Sequence, residues 1–384
     1  MAANAAKFAT ARIIHHGPGA LEQLDVEVRR LGARRVAILT DPGVAAAGLA
    51  DRVVGALSVE ASVLSEVVPE PPYQLVERCV AFVKDCGAEL VIGLGGGSSM
   101  DSAKMTAVMA CNEGTVADYF GADRVPRPGL PIIAIPTTSG TGSEVTPAAV
   151  FVDAADGAKK GVRSDFMLPE VAIVDPMLTI GLPPALTAGT GLDALTHAIE
   201  AYTSAKRTLM SDLTAEEAIR LIGRNLRAAC ANGSDLEARD GMSMGSLLAG
   251  MALSVANVGA VHALAHVLGG SYGVPHGVAN AMLLAPLMAF NRPCCVERYA
   301  RVAELLGEPV EGLSLEEASV RGTEAVMRLT LDVGIPQHLS EVGVPADGLE
   351  AVAKLCMETQ GRILPNNPRE LTRDDAIAIL RALY

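Results

Sequence analysis

The 384-residue chain has no tryptophan, and aromatic residues make up only 3% of it. Stacking of bases or sugars needs aromatic faces, so binders that rely on stacking are disfavoured. Positive charge is also scarce: 31 Lys and Arg face 44 Asp and Glu, for a formal net charge of −13. A phosphate-backbone footprint needs clustered Lys and Arg, so a nucleic-acid partner is not expected. The seven cysteines (Cys79, Cys86, Cys111, Cys230, Cys294, Cys295 and Cys356) contain no CxxC pair. An odd, scattered set reads as free or buried thiols in a reducing compartment, not as a disulfide framework. The stretch MAANAAKFATARIIHHG lacks the apolar core of a signal peptide. These features together predict a cytoplasmic protein.

One further absence is local. From Gly241 to Asn291 there is not one Asp, Glu, Lys or Arg. A membrane span needs about 20 continuous apolar residues. This stretch is broken by Asn257, His262, His266, Gly269, Gly270, Pro275, His276 and Asn280. It reads as buried helices around a polar site, with no membrane partner.

Half of the residues are hydrophobic, and the length suits two domains, because single cores stop growing near roughly 250–300 residues. In the first half, Val36–Leu39, Leu90–Leu94, Ile132–Ile135 and Val171–Val174 are continuous apolar runs bounded by turn residues. Strands buried on both faces have this pattern. Helical segments such as Tyr73–Cys86 and Ser98–Cys111 lie between them. The alternation predicts a doubly wound, Rossmann-like parallel sheet. Ala148–Asp153 is a further strand candidate, in a hairpin with the segment around Lys160–Ser164. Past the breaker Gly181-Leu182-Pro183-Pro184, β-branched runs give way to helical patterns such as Asp212–Ala231, Val296–Leu306 and Asp374–Leu383. The expected organisation is an α/β domain over 1–182 and an all-α domain over 183–384.

Gly95-Gly96-Gly97-Ser98 follows the strand Leu90–Leu94 and opens a helix. Consecutive glycines admit a pyrophosphate close to the backbone, and the helix N-terminus offers free N–H groups to it. A steric βα turn is the plainer alternative; the strand–turn–helix context favours phosphate. The loop Pro136–Glu144 after the next strand carries five hydroxyl side chains and two glycines. Two polar loops at strand C-terminal ends mark a ligand crevice. Asp41 ends the strand Val36–Leu39 and precedes Pro42-Gly43. It suits an adenosine ribose and favours NAD over NADP, although Asp before Pro is also a common turn.

Four of seven histidines fall in two groups of the helical half. Asp193 and His197 are four apart and share a helix face; His262 and His266 repeat that spacing, and His276 follows in a Pro-His-Gly turn. A lone His on an apolar helix is usually a satisfied core residue. Several His and an Asp in charge-free helices carry a desolvation cost that a metal ion resolves. Five candidate ligands remain at this point, and three His with one carboxylate suit Fe²⁺ or Zn²⁺. Such an ion can lower an alcohol's pKa or polarise a carbonyl, with hydride passing to a nicotinamide.

Taken together, GGGSSMD (Gly95–Asp101), PTTSGTGSE (Pro136–Glu144), DALTHAIEAY from Asp193, and GAVHALAHVLGGSYGVPHG (Gly259–Gly277) resemble the iron-containing (group III) alcohol dehydrogenase family. The resemblance spans essentially the whole chain and implies a dehydroquinate synthase-like fold with the active site in the cleft between domains. It assigns the metal, Fe²⁺ ahead of Zn²⁺, to Asp193, His197, His262 and His276, and leaves His266 as a non-ligand near the substrate. It assigns NAD to Gly95, Gly96, Gly97, Ser98, Thr137, Thr138, Thr141 and Lys160, with Asp41 on the ribose. It also implies a homodimer or larger homo-oligomer. The activity implied is NAD(H)-linked interconversion of a small primary alcohol, diol or hydroxyacid-type substrate with its carbonyl form. Maleylacetate reductase-like or other keto-acid reduction is an alternative within the superfamily. A dehydroquinate synthase-like lyase is a weaker one, because the helical half lacks basic residues around its His cluster. Ala148 and Leu253 stand where many relatives place an Asn and an aromatic. Arg362, in GRILPNNPREL, is expected to be a surface residue unless it reaches an anionic substrate group.

Overall fold

The computed structural model describes residues 6–153 and 159–384. The chain divides into a unit of residues 9–180 and a unit of residues 181–384, which residues 6–8 join. Composition places the boundary at residue 182; the division falls at Ile180/Gly181, at the start of the Gly-Leu-Pro-Pro breaker.

The first unit is built on a six-stranded sheet of order β1-β9-β6-β4-β2-β3, parallel throughout. Its strands are β1 (Ile13–His16), β2 (Arg35–Leu39), β3 (Glu60–Leu64), β4 (Leu90–Gly95), β6 (Ile132–Pro136) and β9 (Val171–Val174). Helices α1 (Leu24–Arg30), α2 (Pro42–Ala46), α3 (Leu49–Gly55), α4 (Leu75–Asp85) and α5 (Gly97–Met109) connect or flank them. Val36 and Ile38 of β2 pack into one core with Leu24 and Val28 of α1, while Ala37 and Leu39 pack into another with Cys79 and Val83 of α4. Burial on both faces is why these strands read as unbroken apolar runs.

A second, three-stranded sheet has the order β5-β8-β7, with β5 (Gly121–Ala122), β7 (Ala148–Val152) and β8 (Lys159–Arg163). The expected hairpin is present: β7 and β8 pair antiparallel, Phe151 opposite Lys160.

The second unit's elements are helical: α6 (Pro184–Thr203), α7 (Leu209–Ala231), α8 (Leu236–Ala256), α9 (Ala260–Tyr272), α10 (His276–Asn291), α11 (Val296–Leu305), α12 (Leu315–Asp332), α13 (Leu349–Thr359) and α14 (Arg373–Ala382). Helices α6, α9 and α10 contribute heavily to one apolar core through Leu192, Leu195, Leu264, Leu268, Leu283 and Leu287. Among the described residues no single helix is long and apolar enough to cross a membrane. Helices α8 and α9 approach that composition only as a pair, and they are bent by 103° relative to each other.

Candidate metal centre and cofactor cradle

In the first unit, three neighbouring strands bring the expected cofactor residues to one edge of the sheet. Asp41 follows β2, Gly95–Gly97 follow β4, and Thr137–Thr141 follow β6. The chain passes from β2 out to β3 and returns across β2 to β4, so the strand order reverses between β2 and β4. Open α/β sheets bind ligands outside the strand C-termini at such a reversal.

Gly95 has φ +141°, and a Cβ there would lie 2.6 Å from Ser99 Oγ and 3.2 Å from Asp41 Oδ2. A Cβ on Gly97 would lie 2.8 Å from the Thr141 side chain. The two polar loops therefore pack on each other through atoms that only glycine leaves room for. Asp41 caps α2, with Oδ1 accepting from Val44 N at 2.9 Å, and its other oxygen faces the glycine turn. Beneath the loops, Asp101 accepts from Ser143 Oγ (2.5 Å) and Val150 N (2.9 Å). The fully buried Lys104 ammonium donates to Ser143 O at 3.1 Å and pairs with Asp101 at 3.1 Å. This pair, buried at Lys104 and partly buried at Asp101, ties α5, which opens at the glycine turn, to the end of the second polar loop.

Strand alternation separates the two lysines of β8. Lys160 pairs with Asp153 (2.5 Å) and lies over the Phe120 ring. Lys159 pairs with Glu70 (2.7 Å), whose backbone N–H donates to Ser98 Oγ at 3.2 Å. Lys159 is thus linked through Glu70 to Ser98 of the glycine turn, beside the expected Lys160. Its signal is strand register, which the sequence alone does not supply.

In the second unit, all five expected metal-site residues come together. Asp193 and His197 lie one turn apart on α6, His262 and His266 one turn apart on α9, and His276 opens α10. Asp193 Oδ1 lies 3.7 Å from His262 Nε2, 3.6 Å from His276 Nε2 and 3.9 Å from His197 Nε2. Ligands about 2.1 Å from one ion and 110–120° apart stand about 3.4–3.6 Å from each other; Asp193, His262 and His276 lie close to that spacing and form one compact group, with His197 slightly farther out. The His197 ring stacks on His262 with centroids 4.7 Å apart. His266 stands one layer out, its ring stacked on His276 at 5.4 Å and its Nδ1 3.3 Å from Gln360 Oε1.

Two residues absent from the expected set join the cluster. The Asn280 amide nitrogen lies 2.6 Å from Asp193 Oδ1 and 3.1 Å from Nε2 of both His262 and His276, marking the point where these groups converge. Its amide oxygen is buried and makes no hydrogen bond among the described residues. Glu200 of α6, also buried, accepts from His262 Nδ1 at 2.5 Å. A carboxylate can only accept, so Nδ1 carries the hydrogen and Nε2 faces Asp193. Both residues sit at helical spacing from expected ones: Asn280 four past His276, and Glu200 seven past Asp193.

The electrostatics favour a cation. Asp193 and Glu200 are the only charged residues of α6, and α9 and α10 carry none. Burial alone would raise the Asp193 pKa, but His197, His276 and His262 override it and hold the carboxyl well below the usual range. Burial would lower His262, but Glu200 and Asp193 push it up to about 9. Two buried carboxylates on a helix with no Lys or Arg thus favour the protonated form of His262. A divalent ion can replace that proton.

Comparison with known proteins shows the family. Residues 11–176 match the family described as iron-containing alcohol dehydrogenase, and residues 187–384 match its C-terminal part. A long-chain-alcohol dehydrogenase of Geobacillus thermodenitrificans is 47% identical over 376 residues, covering 96% of this chain and 94% of its own. A 1,3-propanediol dehydrogenase of Klebsiella pneumoniae is 40% identical, covering 96% of each. Among solved structures, a 1,3-propanediol oxidoreductase superposes with a TM-score of 0.96 at 38% identity, covering 99% of this chain and 100% of its own. Sulfoacetaldehyde reductase of Bifidobacterium kashiwanohense, solved in complex with NAD⁺, gives 0.88 at 30% identity, covering 99% of each. A glycine cradle on a parallel sheet and an Asp/His cluster in a helical unit, matched along nearly the whole chain, place this protein in the iron-containing alcohol dehydrogenase family, as an oxidoreductase of alcohols and aldehydes.

Proposed function

We propose that the enzyme interconverts a small primary alcohol, diol or hydroxyacid-type substrate and its carbonyl form, using NAD(H) and one ion held by Asp193, His197, His262 and His276. The observation that carries this reading is the convergence of the three histidines on Asp193, at 3.6–3.9 Å from its Oδ1. The ion supplies Lewis acidity toward an alcohol or carbonyl oxygen, and the nicotinamide accepts or donates hydride. The imidazole-rich ligand set and the family name support Fe²⁺, with Zn²⁺ the competing metal.

The protein's own groups do the remaining work. Gly95–Gly97 and Ser98 open a pyrophosphate site at the N-terminus of α5, and Thr137, Thr138 and Thr141 line it from the neighbouring loop. Asp41 accepts from ribose hydroxyls and repels a 2′-phosphate. Lys159, and in the family-based reading Lys160, supply positive charge on the β8 side. His266, half-buried and outside the ligand set, moves the alcohol proton toward solvent. In the family-based reading Ala148 replaces a polar Asn near the nicotinamide, and Leu253 replaces an aromatic, giving a differently shaped pocket. Arg362 is exposed, in keeping with a surface role. Assembly into a homodimer or larger homo-oligomer, and a cytoplasmic location, complete the proposal; light scattering tests the first.

The test is an NADH-linked panel of short alcohols, diols, hydroxyacids and their aldehydes, run with Fe²⁺ and with Zn²⁺ on metal-stripped protein. Turnover of a neutral primary alcohol or aldehyde that depends on the metal is expected. No absorbance change at the NADH band across the panel with either metal contradicts the proposal.

A further inference from the structure

The start of α9, which carries His262, is capped by groups from elsewhere in the chain. Its N-cap, Gly259, has no side chain to offer. The first free N–H groups of a helix need partners. Here Val261 N donates to Glu200 Oε1 at 2.8 Å, and Ala260 N donates to Asn367 Oδ1 at 3.3 Å. Glu200 uses its other oxygen on His262 Nδ1. One carboxylate therefore fixes both the helix end and the imidazole that the helix carries. Its negative charge also suits the positive end of the helix.

Asn367 belongs to the tail segment Asn366-Asn367-Pro368-Arg369, and this segment reaches all three helices of the metal centre. Asn366 O accepts from Ala205 N at 2.8 Å, just past the end of α6. Asn366 Nδ2 donates to Val258 O at 3.0 Å, just before α9. Asn367 exchanges a pair of amide bonds with Asn291, the last residue of α10, at 2.8 and 3.0 Å. Arg369 donates to Phe290 O at 2.7 Å and lies over its ring. The ends of the helices that bear Asp193, His197, His262 and His276 are thus joined by Asn366, Asn367 and Arg369 of one short tail segment.

We propose that Glu200 and Asn367 are positioning residues of the metal centre: they brace the start of α9, and Glu200 holds the His262 ring with Nε2 turned toward the ion site. The proposal rests on the ligand set given above. Partners that orient a metal-bound imidazole typically change metal affinity about 10–100-fold when lost. Brace and ring are coupled, because the same carboxylate serves both.

Co²⁺ titration of the metal-stripped full-length protein tests this, read by visible absorption and by competition with a chelator. Wild type is expected to bind one Co²⁺ per chain. Glu200→Gln should weaken Co²⁺ about 10–100-fold and shift its absorption band. Glu200→Asp should recover part of the affinity, and Asn367→Ser should weaken Co²⁺ with a smaller band shift. A purely structural role lowers the melting temperature but leaves affinity and band unchanged. If Glu200→Gln does not fold, Asn367→Ser and Glu200→Asp decide the matter by the same two readouts. Wild-type affinity and spectrum in the folded variants overturn the proposal. Failure of wild type itself to bind Co²⁺ overturns the ligand assignment beneath it.

Discussion

Gly277→Ala places one methyl group where α6 and α10 approach closely. A Cβ on Gly277 would lie 2.3 Å from Gly189 O and 2.6 Å from Gly189 C. Both are backbone atoms, so no flexible side chain can swing aside. Ordinary contact begins near 3.4 Å, so α6 and α10 must part by about 1 Å. Gly277 adjoins His276, and Gly189 lies one turn before Asp193, whose oxygen is 3.6 Å from His276 Nε2. Metal ligation tolerates distance errors of only about 0.2 Å. The overpacking costs about 1–3 kcal/mol, offset in part by the roughly 0.5–1 kcal/mol by which Ala is favoured over Gly in a helix. The expected outcome is a melting temperature lower by about 2–6 °C and metal affinity reduced tenfold or more, on the order of a lost supporting contact. Calorimetry and chelator competition measure the two. Gly361→Ala, at an exposed site where a Cβ meets nothing within 4 Å, is the control. A Gly277→Ala protein that melts like wild type and binds metal as tightly would refute the close-approach argument.

His266→Ala should keep one ion per chain but lose about 10²–10⁴-fold in turnover; full turnover with an unchanged pH profile would place the proton path elsewhere. Asp41→Ala should raise the NADPH-to-NADH ratio of kcat/KM at least about tenfold, by removing the repulsion of a 2′-phosphate. It should also cost about 1 kcal/mol through the lost cap of α2, and an unchanged cofactor preference would count against the ribose assignment. Burial pushes the Glu144 carboxyl up to about 7, against the opposing pull of Lys104. The folded state therefore holds this proton more tightly than the unfolded chain. The associated stability is present below about 4.5 and is lost as pH rises toward 7. Glu144→Gln should flatten the melting-temperature profile between pH 4.5 and 7 and raise it above pH 7; a profile parallel to wild type would show that Glu144 does not titrate there.

Much of this was legible in the sequence for identifiable reasons. Strands β2, β4, β6 and β9 are buried on both faces, so their apolar runs are continuous. Strands β1 and β3 form the sheet edges and are mostly only partly buried, so Ile13–His16 and Glu60–Leu64 carry little apolar signal. The ligand cluster stood out because Asp193 and the histidines occur in helices otherwise nearly free of charge. Glu200 and Asn280 share those helices and the helical spacing, but which polar residues turn toward the site depends on packing. The link of Lys159 through Glu70 to Ser98 depends on the β8 register. Asn367 is the least legible case: it lies more than a hundred residues from the helix end it caps, and no local pattern announces such a contact.

The proposed function requires one ion at Asp193, His197, His262 and His276 for hydride transfer to and from NAD. Elemental analysis of anaerobically reconstituted protein, paired with NADH-linked turnover of the same samples, tests it directly. One Fe²⁺ or Zn²⁺ per chain is expected in wild type, with activity that scales with occupancy and loss of both in Asp193→Ala. Metal-stripped wild type turning over at the loaded rate, or Asp193→Ala retaining a full equivalent of tightly bound ion, would contradict it.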